Sequence, residues 1–175
     1  MRTTPSILLD ADSVAGRRAR LAVSARRVYV AALSVFVVLG LLDVFGSRTG
    51  VASAAGGGYT MTLHYPSRTR SGLPVEWRLV VTHPGGFDEP IRVGITLDYF
   101  NSFDFNNVSP TPVETMNRDG LLIWSFPKPI GDTLEVLLDA RTQPGLRSGP
   151  SATTAVVAQD GTPIVAVRYT TGVMP

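Results

Sequence analysis

Between Asp98 and Asn107 the chain reads DYFNSFDFNN, which gathers two carboxylates, three carboxamides and four aromatic rings. Asp98, Asn101, Asp104 and Asn106 are hard oxygen donors of the kind calcium collects six to eight at a time. The spacing lacks the glycine and closing glutamate of an EF-hand, so calcium is a minority reading and no metal is assigned. The rings of Tyr99, Phe100, Phe103 and Phe105 have two possible uses. They can plug a sandwich edge where the chain crosses between sheets, with Asn and Asp serving the turns. They can also form an apolar contact surface rimmed by polar groups.

Other chemistries find less support. His64 and His83 have no HxH or HExxH spacing around them. There is no cysteine, which excludes disulfides, thiolate metal sites and a cysteine nucleophile. The triplet Gly56-Gly57-Gly58 is followed by no Gly-Lys-Ser/Thr, and no GxSxG elbow occurs. Nothing singles out two carboxylates for glycoside hydrolysis. The sequence points to no enzyme and to no cofactor.

The elements that must position these residues begin with the apolar run Val28–Gly46, VYVAALSVFVVLGLLDVFG, whose one acidic or basic residue is Asp43. Crossing a bilayer takes about 20 apolar residues at a rise of about 1.5 Å each. Arg17, Arg18, Arg20, Arg26 and Arg27 stand just before it. Residues 1–27 carry six Arg against two Asp, whereas residues 28–175 carry ten basic and twelve acidic residues. The basic character therefore belongs to the leader. That pattern fixes membrane orientation, arginine side cytoplasmic, and argues against nucleic-acid binding.

A signal anchor is favoured over a cleaved signal peptide ending at Ala52-Ser53-Ala54, because the apolar core is longer than the usual 7–15 residues or so. Either way residues 47–175 lie outside the cytoplasm. An acid within a span is costly at the bilayer centre, and near the end of this one Asp43 either reaches the interface or meets a polar group on a neighbouring span.

The expected organisation is a basic cytoplasmic tail over 1–27, a transmembrane helix over 28–46, a Gly/Ala/Ser linker over 47–58 and a β-sandwich domain over 59–175. From Tyr59 onward apolar residues alternate with polar ones, as in PVEWRLVVTH (Val75, Trp77, Leu79, Val81) and TLEVLLDAR (Leu134, Val136, Leu138, Ala140). Asp119-Gly120 and Asp160-Gly161 are hairpin signals. About eight short strands with no convincing soluble helix predict an all-β, immunoglobulin-like antiparallel sandwich, without the usual inter-sheet cysteine pair.

The plan resembles bacterial single-pass membrane proteins that carry an exported immunoglobulin-like domain. The likeness covers residues 28–175 and rests on GGGYTMTLHYPSRTRSGL, HPGGF, DYF and RYTTGVMP. It implies an accessory or interaction role beside an integral membrane protein at the bilayer. In that role Tyr99, Phe100, Phe103 and Phe105 are the candidate contacts, and Asp43 is a candidate contact within the membrane. The rival reading is an envelope ligand-binding module for glycan or calcium that uses the Asp98–Asn107 stretch.

Overall fold

The computed structural model describes residues 7–41, 46–146 and 149–174. The chain divides into two units, Met1–Phe45 and Gly46–Pro175. In the first, α1 (Ile7–Leu41) is one continuous helix that begins well before the apolar run. Its stretch Leu21–Leu41 is long and apolar enough to cross a membrane. Within that stretch Leu33, Val37, Val38 and Leu41 are each at least half exposed. Asp43 lies outside the described residues.

The second unit is an all-β sandwich of two sheets. One sheet holds β1 (Arg48–Gly56), β2 (Tyr59–Arg70), β3 (Pro74–Thr82), β8 (Thr133–Thr142) and β5 (Phe103–Ser109) in that order. A short β11 (Gly172–Met174) adds to β2 in parallel. The other sheet has the order β10 (Pro163–Thr170), β9 (Ser151–Val157), β4 (Ile91–Thr96), β7 (Leu121–Phe126), β6 (Glu114–Arg118). Every ladder within it is antiparallel.

Alternation dictates which face is buried, because successive side chains on a strand point to opposite sides. On β8, Leu134, Val136, Leu138 and Ala140 are buried while their neighbours are exposed. They meet Met61, Leu63, Trp77, Leu79 and Val81 from their own sheet, and Val93, Ile95, Trp124, Phe126, Val156 and Val167 from the other. These side chains form the main core. A second, small cluster of Ile123, Ala155 and Val157, flanked by Met116 and Leu121, lies apart from it on β7 and β9.

Three strand segments depart from the alternation pattern. Residues 48–56, expected as linker, form β1 and pair with β2 from Arg48↔Arg68 to Gly56↔Tyr59. Small residues lower the intrinsic β signal, but backbone pairing does not need large side chains, and Ala52 and Ala54 pack on the core. Strand β2 likewise runs through Pro66 to Arg70, with β11 supplying its last partners. Strand β5 arises inside the aromatic stretch, with a register shift between Phe105 and Asn107.

The turn between β6 and β7 shows its chemistry plainly. Asp119 (φ 51) and Gly120 (φ 76) both adopt positive φ, as a two-residue type I′ turn demands. A Cβ at Gly120 would meet nothing within 4 Å, so Gly120→Ala isolates the backbone term. It is expected to cost about 1 kcal/mol, a drop of about 4 °C in melting temperature by calorimetry.

Candidate functional site

The aromatic stretch is where the chain leaves one sheet for the other. After β4, the single helical turn α2 (Leu97–Phe100) carries it across to β5. The turn is pinned at its start by the Leu97 amide donating to the Gly120 carbonyl at 2.9 Å, and closed by the Asn101 amide donating to the Leu97 carbonyl at 2.8 Å. This geometry turns Tyr99 inward.

Tyr99 is 1 % exposed and Phe103 5 % exposed, so both belong to the core. Phe100 and Phe105 are partly buried and stack on each other, with centroids 4.2 Å apart and planes 3° from parallel. Phe100 also meets Trp124 edge-on. The four rings therefore close the end of the sandwich, and Tyr99 and Phe103 offer no contact surface. The physical reason is the crossover itself: a chain that changes sheets leaves a gap in the core, and large rings fill it.

Around Tyr99 lies a buried polar network that alternation alone does not reveal. The Tyr99 and Thr171 hydroxyls hydrogen-bond at 2.9 Å. Trp77 Nε1 donates to the Tyr169 hydroxyl at 3.2 Å, and that hydroxyl also bonds Thr154 Oγ1 at 2.9 Å. The rings of Tyr65 and Tyr99 pack against Tyr169 at 4.7 and 5.2 Å. Burial pushes the Tyr169 phenol up to about 12, and the hydrogen bonds from Thr154 and Trp77 oppose the shift. Burial also raises the Tyr99 phenol, helped by neighbouring Tyr169 and opposed by Thr171. Both phenols stay neutral and hydrogen-bonded near neutral pH. They are groups that specify a core and have no role as acid or base there.

The oxygen donors of the stretch do not converge with other acids. Asp98, Asn101, Asp104 and Asn106 are exposed, and Asp104 stands opposite Arg141 in the β5–β8 ladder. Among the described residues no cluster of three or more His, Asp or Glu side chains comes together. The histidines are far from alike in their surroundings. His83 Nδ1 sits 2.6 Å from the Gly86 carbonyl and its ring packs on Tyr59, in the role of a loop staple, whereas His64 is a half-buried residue of β2.

The surface with open bonding capacity is a strand edge. β6 is the last strand of its sheet and pairs with β7 alone, without a register shift. Val113, just before it, is 70 % exposed, and Met116 at its centre is half-buried against the Ile123 cluster. The other edges are less open. β5 and β1 each carry a register shift, and β10 runs close to β1, where a Cβ on Gly56 would stand 3.2 Å from the Ile164 carbonyl oxygen.

The fold thus defines a two-sheet antiparallel sandwich whose interior polar groups serve its own packing. No family model matches the chain, and no curated protein matches it. Among solved structures it is similar to a non-cellulosomal cohesin from the hyperthermophilic archaeon Archaeoglobus fulgidus. The identity is 13 %, the match covers 73 % of this chain and 92 % of that one, and the TM-score is 0.35.

Proposed function

We propose that the chain is a membrane-anchored, non-catalytic interaction module whose sandwich works outside the cytoplasm and holds an integral membrane protein through the β6 edge. The anchor is the apolar stretch Leu21–Leu41, and the arginines preceding the apolar run set the amino-terminal side as cytoplasmic. The observation that carries the interaction role is the edge itself. A row of unpaired backbone groups on β6 can accept an added strand, and Val113 and Met116 give such a strand apolar side chains to cover.

The variant Val113→Asp with Met116→Lys tests this reading. Both changes put charge on the edge, the device by which exposed edges refuse added strands. The expected result is a partner that co-purifies in mild detergent with the unaltered chain and is lost by at least about tenfold with the variant, a difference of about 1.4 kcal/mol. Because Met116 packs on the Ile123 cluster, a modest drop in melting temperature is expected while the sandwich stays folded. Retention of the partner at full yield sinks the β6 assignment.

A further inference from the structure

Strand β6 reads Glu114-Thr115-Met116-Asn117-Arg118, with an acid at one end, a base at the other and an apolar residue at its centre. It lies at the edge of its sheet, between Pro112, which has no amide to donate, and the Asp119-Gly120 turn. These boundaries leave five residues for an added strand to pair with.

Ladder geometry says what those residues offer. Glu114, Met116 and Arg118 pair with Ser125, Ile123 and Leu121 of β7. Residues flanking a two-residue hairpin turn exchange both backbone hydrogen bonds, and such pairs alternate along an antiparallel ladder. Glu114, Met116 and Arg118 therefore direct their backbone groups to β7, while Thr115 and Asn117 aim theirs at the open side. Direct partners share a face, so Glu114, Met116 and Arg118 stand together on the face of the Ile123 cluster.

The complement of this strand is the strand itself. Turned antiparallel about Met116, a second β6 sets its Arg118 against Glu114, its Asn117 against Thr115 and its Met116 against Met116. The Thr115–Asn117 pairs then fall where backbone groups are free, so hydrogen bonding and charge choose the same register. A slip of two residues moves Glu114 off the second copy's Arg118. A parallel arrangement brings like charges side by side. Among the described residues Glu114 has no ion pair. Arg118 lies 3.6 Å from the adjacent Asp119 in a mostly exposed pair, and its side chain passes beside Gly161. A pair so open to water stabilises little, and the second copy's Glu114 can replace it.

We propose that two copies of this chain pair β6 to β6 about a two-fold axis at Met116, joining their sheets edge to edge. The inference rests on the reading of β6 as the interaction edge and names its partner: the integral membrane protein held there is a second copy of this chain. The pairing covers the edge that otherwise invites aggregation.

The test uses the full chain in mild detergent. The chain has no cysteine, so Met116→Cys places a single thiol on the axis. Residues opposed without hydrogen bonds between them stand about 4.5 Å apart at Cα, at the near end of the roughly 4.4–6.8 Å that a disulfide spans. Under mild oxidation with copper phenanthroline this variant should form a covalent dimer at least about tenfold faster than Val51→Cys, an exposed position on the edge strand β1. In the Met116→Cys background, Glu114→Arg alone sets arginine against arginine, and Arg118→Glu alone sets acid against acid. Each should lower the dimer yield at least about tenfold. Mixing the two variants, told apart by different tags, restores both opposite-charge pairs and should restore the yield as a mixed dimer. The buried Trp77 and Trp124 report that each variant is folded.

Cross-linking no faster at position 116 than at position 51, or no recovery on mixing, overturns the self-pairing. In that event, loss of a different co-purifying protein with Val113→Asp and Met116→Lys keeps β6 as the interaction edge, whereas its retention removes that reading as well.

Discussion

Tyr99→Ala is expected to lower the stability of the sandwich by about 3–5 kcal/mol, the usual cost of emptying an aromatic site in a core. The ring fills the space where α2 crosses between sheets, 4.8 Å from Phe103 and 5.2 Å from Tyr169, with hardly any exposure. Removing it leaves a cavity and takes away the partner of the fully buried Thr171 hydroxyl. Tyr99→Phe separates the two effects. It keeps the ring and strands the hydroxyl, for an expected cost of about 1–3 kcal/mol.

Urea unfolding of the full chain in detergent reads both losses. The two tryptophans, Trp77 and Trp124, are each buried in the core, so their fluorescence reports on the sandwich. A small domain has about 5–15 kcal/mol in all, so the alanine variant should show an obvious shift of midpoint. A Tyr99→Ala variant within about 1 kcal/mol of the unaltered chain would contradict the burial and return Tyr99 to the candidate contact surface.

The second large effect is alkaline. Tyr169 holds its proton more tightly folded than unfolded, since burial raises its value from the ordinary 10 to about 12, and Tyr99 is shifted in the same direction. The unfolded state then binds fewer protons than the native state above pH 10, so stability falls as pH rises. The contribution is fully present below pH 10 and is lost between pH 10 and about 12 for Tyr169, with Tyr99 continuing the decline. A tenfold difference in proton affinity between the two states is worth about 1.4 kcal/mol, so Tyr169 alone accounts for about 2–3 kcal/mol by about pH 12.

Melting temperature measured across that window should decline steeply, with tyrosinate absorbance rising on unfolding. Tyr169→Phe should be less stable near neutrality, because Trp77 and Thr154 lose their partner, yet should show a shallower alkaline slope. An unchanged slope would mean that the phenol is not protected by the fold.

The expected sandwich was legible because alternation is a local property of the sequence. Val75, Trp77, Leu79 and Val81 share a face in any strand, and Leu134, Val136, Leu138 and Ala140 do the same on β8. The Asp119-Gly120 turn was legible for a similarly local reason, the tolerance of those residues for positive φ. The apolar run and its arginines needed nothing beyond length and charge. β1 was hidden because RTGVASAAG has the composition of a linker and becomes a strand only when β2 offers it a ladder.

The Asp98–Asn107 stretch shows the limit most clearly. Its composition allowed both an internal plug, the favoured reading, and a surface contact, since an aromatic ring satisfies both. Only the crossover between sheets decides that Tyr99 and Phe103 face inward. The same holds for the network of Tyr169, Trp77 and Thr154, three residues distant in sequence that meet on facing sheets. Sequence by itself determined the strand faces, the Asp119-Gly120 turn and the membrane-length helix, each from interactions within a few residues. Tertiary structure decided where the chain crosses between sheets and which strands end each sheet, because those depend on contacts between segments far apart in the chain.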